Sequence, residues 1–407
     1  MTAPQIPNLF KVPELKEKIL FTLLCLVIYR VGAHVATPGV NVQALSDFLS
    51  RSGSGTLFGL YDLFAGGAFG RATVFALGIM PYISASIVFQ LAGPVFPVIE
   101  KMQRDEEGRK RITQWTRYLT VILCLFQAYG FAVFTEQLPG AVANPGMGFR
   151  LTTMLTLTTG GVFIMWLGEQ ITERGIGNGM SLLIFFSIIE RIVPAIIRTF
   201  EALGAGTITI PILLLMSVVM VFVVAGTVAV TTASRRIPIQ IPRKVMGRGR
   251  VREGQKTFIP LRLNTANVMP IIFAQSLIIV PGTLATFSNL PWLRSIADMF
   301  NTRSWVYVVS SVLLIVFFAY FYTSIIFNPV DLAENLKKQG AFIPGVKPGA
   351  PTADYIDEVL SRITLPGALF LSAVAMLPIV VSNVMGQSFG FGGTSLLIVV
   401  EIGRAHV

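Results

Sequence analysis

The chain is poor in the residues that metal and redox chemistry require. Its 407 residues include two cysteines, Cys25 and Cys124, and two histidines, His34 and His406. A zinc site needs three or four cysteine, histidine or carboxylate ligands held close together, so the composition predicts no metal site and no cofactor. Both cysteines lie in apolar stretches, and we interpret them as packing residues and not as reactive thiols.

Charged residues are also scarce. They make up 13% of the chain, against 53% hydrophobic residues and a mean hydropathy of +0.69. These charges are too few to cover the surface of a soluble protein of this size, so the composition indicates a membrane protein. The apolar stretches contain no paired aspartates, no serine–histidine dyad and no cluster of metal ligands, so we do not predict an enzyme.

The lysines that are present follow a regular arrangement. All ten lie in four short polar stretches, at 11–18, 101–110, 244–256 and 337–347, and an even number of predicted crossings separates each stretch from the next. Lysine and arginine are enriched in the cytoplasmic connections of membrane proteins, so the pattern predicts a multi-pass protein with a cytoplasmic N-terminus. We interpret the net charge of +11 mainly as this topology, with contact to anionic lipid or ribosomal RNA as a secondary possibility.

Ten apolar segments can be drawn as transmembrane helices. A break at 199–209 divides them into two groups of five, and an odd number of crossings in each half gives the halves opposite orientations, as in an inverted repeat. The predicted fold class is an all-α polytopic membrane protein with ten helices in two pseudo-symmetric inverted halves, residues 1–200 and 201–400. The segments are 19–36, 72–95, 116–135, 151–169, 180–198, 210–232, 264–286, 304–327, 363–385 and 389–400.

Two long cytoplasmic loops, 233–263 and 328–362, differ from simple connections. The first is rich in arginine and lysine, with Glu253 as its one acidic residue, and residues 245–251 are typical of a protruding hairpin. The second contains a proline- and glycine-rich turn before a short helix predicted at 353–362. We predict that the two loops form a docking surface, with positive-inside charge alone as the alternative. The predicted docking residues are Arg243, Lys244, Arg248, Arg250 and Lys347.

Residues 57–70, LFGLYDLFAGGAFG, are apolar but lie outside the ten segments. As a helix they would reach about 21 Å, which is less than the roughly 30 Å of the hydrocarbon core. The segment contains Asp62, Gly66 and Gly67. We therefore predict a short external helix on a glycine hinge, able to fold back and close a cavity. An interfacial helix that lies flat on the membrane is the alternative.

Several stretches of the sequence resemble one family. FALGIMPYISASIVFQ (75–90) and WLGEQITERGIGNGMSLLI (166–184) carry the likeness, together with DLFAGGAFGRA, NPVDLAENLKKQGAFIPGVKPG and FGFGGTSLLIVV in the same order. From about residue 10 to Val400 the chain resembles SecY, the family of bacterial protein-conducting channels. The resemblance implies a central channel subunit that passes unfolded polypeptides across the bacterial cytoplasmic membrane and releases transmembrane helices sideways into lipid.

The resemblance also implies an aliphatic ring that constricts the pore. Sequence spacing shows only that Ile79 and Ile83, and likewise Ile272 and Val280, share a helix face; taken singly, such residues more often face lipid or pack in bulk. Pro81 lies between the first two and is predicted to remove one backbone donor and loosen its helix. A narrow apolar collar excludes ions by dewetting and offers a passing chain no specific hydrogen bonds. The implied ring residues are Ile79, Ile83, Ile184, Ile272, Val280 and Ile398.

By the same resemblance, segment 57–70 is the plug of the pore, and the second, third, seventh and eighth crossings form a lateral gate. The implied plug residues are Leu57, Phe58, Leu60, Tyr61, Leu63, Phe64, Gly66 and Gly67. The implied gate residues are Ser84, Gln90, Asn267 and Gln275. Weakly paired polar groups would let an apolar signal sequence open the gate, and ordinary helix–helix hydrogen bonds are the alternative role. The implied partners are SecE, SecG, the SecA motor ATPase, the ribosome, precursor polypeptides and membrane lipid.

Two departures from the family pattern are expected to matter. Lys347 replaces the usual arginine of a PGxRPG turn and lacks its planar, bidentate guanidinium. The final segment, 389–400, would reach only about 18 Å as a helix, too short to cross. The heptapeptide 401–407 that follows resembles a translated sequencing adapter. We therefore predict a truncated reading frame with an artefactual tail at 401–407.

A secondary transporter built from inverted repeats is the alternative function. Such a transporter would need ionisable residues near the middle of the membrane. The candidates are Arg30, Glu169, Glu190 and Arg191, and all four lie toward the ends of predicted segments. The sequence therefore favours the channel.

Overall fold

The structure is a computed structural model, and it is largely helical. It describes residues 13–52, 61–62, 64–206, 208–240, 245–246, 250–251, 256–287, 299, 304–385 and 393–405. The described helices of the first half are α1 (Pro13–Gly32), α2 (Val42–Ser52), α3 (Met80–Val95), α4 (Pro97–Arg104), α5 (Glu106–Gln137), α6 (Met147–Arg174) and α7 (Gly179–Gly204). Those of the second half are α8 (Ile210–Thr232), α9 (Met269–Phe287), α10 (Trp305–Ile326), α11 (Pro329–Lys338), α12 (Ala350–Met385) and α13 (Gly393–Ala405).

Prolines and short polar caps fix where several helices begin. Pro97 and Pro329 lie in the first turns of α4 and α11. A proline loses no hydrogen bond there, because the first N–H groups of a helix have no partner within it. Asn178 and Asn328 cap α7 and α11, and each side-chain oxygen accepts a backbone N–H at 3.1 Å.

The second predicted crossing, 72–95, is helical only from Met80 onward. Residues 65–78 form turns, and Gly78 adopts a φ of +55°, which no helix continues through. Pro81 consequently lies in the first turn of α3. The prediction that Pro81 loosens its helix by removing a backbone donor is therefore wrong, because the N–H groups of the first turn have no partner within the helix and the proline there favours helix initiation.

Two connections predicted as loops are more helical than expected. After α3 the chain bends by 109° into α4, and α5 then begins at Glu106, still within the predicted loop 96–115. The short helix predicted at 353–362 is not a separate element, because it is continuous with the ninth predicted crossing in the 36-residue helix α12. At about 1.5 Å per residue, α12 spans about 54 Å and projects well beyond a bilayer.

Helices suited to a membrane make up most of the fold. Within the described residues, six helices are long and apolar enough to cross, and the bent pair α3–α4 makes seven. Apolar side chains face outward, as on α8, where Leu214, Val218, Val221 and Phe222 are all more than half exposed. Such a large apolar surface is typical of a lipid-facing helix. The count of ten crossings stays a prediction.

One large hydrophobic cluster joins the two halves. Across this junction α3 and α5 contact α9, and α7 contacts α13. Helices within a half pack closely at glycines. A Cβ atom on Gly179 would lie 2.1 Å from the carbonyl oxygen of Gly168, so the turn between α6 and α7 requires glycine there. At the same turn, Ile176 donates its N–H to the Thr22 hydroxyl of α1 at 3.2 Å.

The two loops predicted to be cytoplasmic form a small unit with its own core. The described strands in the first loop are β1 (Ser234–Gln240), β2 (Val245–Met246), β3 (Arg250–Val251) and β4 (Lys256–Arg262). β1 pairs antiparallel with β4, and β2 with β3, which confirms the hairpin predicted at 245–251. Gln240 and Phe342 exchange backbone hydrogen bonds of 2.9 and 3.0 Å and so join the second loop to the first. Ile237 and Ile356 are buried in the shared cluster.

Candidate pore, plug and gate

The predicted ring residues lie on four different helices. Ile79 and Ile83 are at the start of α3, and the others are on α7, α9 and α13. Five are buried, with at most 7% of the residue exposed, and all five belong to the single large hydrophobic cluster. These five are Ile79, Ile83, Ile184, Ile272 and Ile398. The sixth, Val280, lies in α9, and its side chain is outside the described part of the chain.

Helix contacts bring the elements that carry these isoleucines together at the junction of the halves. The Ile79 and Ile83 helix, α3, contacts the Ile272 helix, α9, and the Ile184 helix, α7, contacts the Ile398 helix, α13. Each of these two contacts therefore joins elements of different halves that carry predicted ring residues. That these residues surround one axis stays a prediction.

The described part of the plug segment packs against the first half. The Tyr61 hydroxyl lies 3.0 Å from the Leu77 carbonyl oxygen and 3.1 Å from Oε1 of Gln127, and Phe64 is buried. Gly66 and Gly67 lie in a run of turns and adopt φ angles of +63° and +79°, a region that favours glycine. That they act as a hinge stays a prediction. The predicted plug residues Leu57, Phe58, Leu60 and Leu63 lie outside the described residues.

Ion pairs attach the same segment to α7. Asp62 Oδ2 lies 3.0 Å from Nη2 of Arg191, and its other carboxylate oxygen accepts the Gly70 N–H at 2.8 Å. Arg71 donates to Glu190 Oε1 at 3.0 Å, and Arg30 of α1 also pairs with Glu190. Three of the four charged residues considered for a transporter therefore form ion pairs next to the plug segment, namely Arg30, Glu190 and Arg191.

The fourth, Glu169, is also paired, since Arg117 donates to its Oε1 at 2.7 Å. All four charges therefore have an oppositely charged partner on a neighbouring segment. They lie toward segment ends and not near the middle of the membrane, where a transporter needs ionisable residues, so they give no support to the transporter alternative.

One predicted gate residue connects the halves directly. Gln90 of α3 accepts a hydrogen bond at Oε1 from the Tyr322 hydroxyl of α10, and its Nε2 donates to Ser86 at 2.8 Å. The Tyr322 ring packs against Phe273 of α9, with ring centroids 5.0 Å apart. Among pairs of described residues, this is the one hydrogen bond between the halves. Ser84 is half-buried on the same helix.

The other two predicted gate residues have different surroundings. Asn267 was expected inside the seventh crossing, but it is exposed in a turn before α9, with a φ of +55° that asparagine tolerates better than most residues. Gln275 is buried and donates from Nε2 to Oγ1 of Thr394 on α13 at 2.6 Å. Because α13 belongs to the same half, Gln275 does not form the predicted contact with α3 or α5.

The predicted docking residues fall mostly outside what is described. Arg243, Lys244 and Arg248 are in undescribed parts of the loop, and Arg250 lies in β3 without a described side chain. Lys347 is exposed, and its carbonyl accepts the Thr352 hydroxyl at 2.9 Å. The two loops are joined by backbone hydrogen bonds and a common hydrophobic core, so they belong to one structural unit.

Comparison with known proteins agrees with the architecture. A family model described as SecY matches residues 73–406. The protein translocase subunit SecY of Aquifex aeolicus is 46% identical over 402 residues, which cover 97% of this chain and 93% of that relative. The chain belongs to the SecY family. It is a translocase channel subunit of that family, as the resemblance implied, and the predicted fold class agrees with its helical membrane fold.

Solved structures share this SecY fold over nearly the whole chain. One is a SecY structure whose description states that the plug domain stabilizes the closed state of the translocation channel. It superimposes with a TM-score of 0.67 at 19% identity, and the match covers 99% of this chain and 96% of that chain. Another, Sec61 in a canine ribosome–channel complex, gives a TM-score of 0.64 at 17% identity over 99% of this chain and 96% of its own. At these identities the likeness concerns the fold.

Sequence reasoning missed three residues of the site, namely Tyr322, Thr394 and Arg71. Arg71 lies in the motif DLFAGGAFGRA and could have been noticed as a charge beside the glycine hinge. Nothing in the sequence separates Tyr322 from other tyrosines of α10. The prediction that 401–407 is artefactual stays a prediction, although α13 continues to Ala405 and Asn264 donates to Glu401 at 3.2 Å.

Proposed function

We propose that this SecY-family chain conducts unfolded polypeptides through an aliphatic ring formed by Ile79, Ile83, Ile184, Ile272, Val280 and Ile398. The observation that supports the proposal is the burial of five of these residues in the hydrophobic cluster shared by both halves, on helices that contact one another across the junction. An apolar ring disfavours water and ions at rest, because it provides no fixed polar sites. It also offers no specific hydrogen bonds, so chains of any sequence can pass.

The plug and the gate give this pore two ways to open. Segment 57–70 is the plug, and its attachment through the Asp62–Arg191 ion pair supports a closed resting position, together with the Arg71–Glu190 pair of the residue that directly follows the segment. Sideways release requires the halves to separate between α3 and the pair α9 and α10. The junction is mostly apolar, so an apolar transmembrane helix can replace its contacts at little cost.

The positions of the lysines and the two basic loops support an orientation in the membrane and a set of partners. The lysine pattern supports a cytoplasmic N-terminus in the bacterial cytoplasmic membrane. The joined loops 233–263 and 328–362 then face the cytoplasm and are suited to bind the SecA motor or ribosomal RNA, because both loops carry exposed basic residues. We further propose SecE and SecG as membrane partners. The channel itself needs no catalytic residue, since the partner motor or the ribosome supplies the driving force.

Reconstitution tests this function. Vesicles that contain the channel complex should take up an unfolded precursor protein when the motor and ATP are added outside, and should take up none when ATP is omitted. Uptake of a small solute in place of the precursor, driven by an ion gradient without the motor, would contradict the proposal and revive the transporter.

A further inference from the structure

Gln275 and Thr394 form a hydrogen bond deep inside the second half. Gln275 Nε2 donates to Thr394 Oγ1 at 2.6 Å, and the two residues are only 2% and 3% exposed. The other amide atom, Gln275 Oε1, has no hydrogen-bond partner within the described residues. A buried polar group with an unpaired acceptor costs free energy in an apolar interior. A leucine or methionine would avoid that cost, so the glutamine calls for a functional reason.

The two helices joined by this bond run in opposite directions. A second hydrogen bond joins Asn264, just before α9, to Glu401 near the end of α13, at 3.2 Å. As the chain advances from Asn264 to Gln275, the partner position therefore moves back from Glu401 to Thr394. Two such contacts indicate that the two segments run antiparallel.

This geometry sets the relative height of two ring residues. Ile272 precedes Gln275 by three residues, or about 4.5 Å along the helix axis, and Ile398 follows Thr394 by four, or about 6 Å. Because the helices are antiparallel, both displacements point toward the same membrane surface and differ by only about 1.5 Å. Residues three or four apart also share a helix face, so each isoleucine lies on the bonded face of its helix.

We propose that Gln275 and Thr394 are positioning residues, whose hydrogen bond holds Ile272 and Ile398 at one level so that the aliphatic ring closes. The inference rests on the proposed function of that ring. A slip of α13 by one turn would move Ile398 by about 5.4 Å, roughly the height of a side chain, and would open a gap in the collar. The bond is an interhelical contact within one half, so it can persist while the halves separate.

The test compares two substitutions at one position in the complete channel complex. Thr394→Val removes the hydroxyl, and Thr394→Ser keeps it. Thr227→Val is the matched control, because Thr227 is fully buried and its hydroxyl bonds only the Val223 carbonyl of its own helix at 2.8 Å. The measurement is the ion conductance of the resting channel in a planar bilayer, with precursor uptake measured in parallel.

We expect Thr394→Val to raise the resting conductance by about tenfold, the change that about 1.4 kcal/mol represents, while Thr394→Ser and Thr227→Val leave it near the unsubstituted level. An equal rise in Thr227→Val, or no rise in Thr394→Val, would overturn the proposal. If the unsubstituted channel takes up no precursor, the proposed function fails, whereas normal uptake with unchanged conductance defeats only the positioning role.

A double variant separates positioning from stability. Replacing both partners, Thr394→Val with Gln275→Met, removes the unpaired buried groups, and such paired apolar replacements are often neutral for stability. We expect the double variant to have the same thermal unfolding temperature as the unsubstituted channel, while its resting conductance stays as high as that of Thr394→Val. A conductance that returns to normal together with the stability would show that the bond serves the fold alone.

Discussion

The hydrogen bond between Gln90 and Tyr322 offers the sharpest prediction about the gate. Tyr322→Phe removes the hydroxyl but keeps the ring that packs at 5.0 Å against Phe273. Interhelical hydrogen bonds in membranes contribute about 0.6 kcal/mol on average and up to about 1.7 kcal/mol. Gln90 keeps its second hydrogen bond, to Ser86, so the loss should fall within this range. The open state of the gate should then gain population by about threefold to about eighteenfold.

The assay is the uptake of precursors with signal sequences of graded hydrophobicity. Tyr322→Phe should lower the hydrophobicity needed for half-maximal uptake, because less free energy is then required to part the halves. Tyr320→Phe is the matched control: it lies on the same helix, but its hydroxyl donates to the Ser361 carbonyl at 3.1 Å within the second half. Equal thresholds for the two variants would refute the reasoning.

A double-mutant cycle tests whether Gln90 is the hydrogen-bond partner through which Tyr322 acts. Gln90→Leu should lower the threshold as Tyr322→Phe does, and the double variant should add little to either single change, because both remove the same bond. Fully additive effects would mean that the two residues act separately, and the gate would then have no specific polar contact between these helices.

Three further predictions concern the plug, the packing and the docking surface. Asp62→Asn keeps an oxygen that can accept the Gly70 N–H but removes the charge, so it should raise resting conductance by about fivefold, for about 1 kcal/mol of lost ion pairing; an unchanged conductance would exclude this role of the pair. Gly179→Ala should lower the free energy of unfolding by about 1–3 kcal/mol in thermal denaturation, whereas Gly204→Ala, with nothing within 4 Å, should not. Lys347→Arg should preserve or raise precursor uptake, and a clear loss would show that this site has been mis-assigned.

Much of the fold could be predicted because lipid imposes simple rules on a sequence. The lengths of the apolar segments locate most of the helices, and the break between the fifth and sixth segments divides the chain at 199–209. The positions of the lysines indicate which connections lie on the same side of the membrane. The alternation around Ile237 and Ile239 is also a local signal, and it indicates the strand β1 of the loop unit. The turn structure before Met80 was missed because residues 72–79 are as apolar as a helix. Gly78 and Pro81 were the available signals that a helix begins there.

The polar contacts could not be predicted, because a glutamine inside a helix does not reveal the direction in which it points. Gln90 and Gln275 both lie in apolar segments, yet one bonds across the junction and the other bonds within its own half. Their partners are 232 and 119 residues away in sequence. Such pairings depend on how helices rotate against one another, which a single sequence leaves open. The same limit applies to Asp62 and Arg191.

The most direct test of the account is crosslinking of a precursor stalled during transport. A channel without native cysteines, carrying Ile272→Cys, is compared with one carrying Leu277→Cys on the same helix, where 47% of the leucine is exposed, against 4% of Ile272. We predict that a cysteine in the stalled chain forms a disulfide with position 272 and not with position 277. Efficient crosslinking at 277 with none at 272 would contradict the claim that the polypeptide passes through the aliphatic ring.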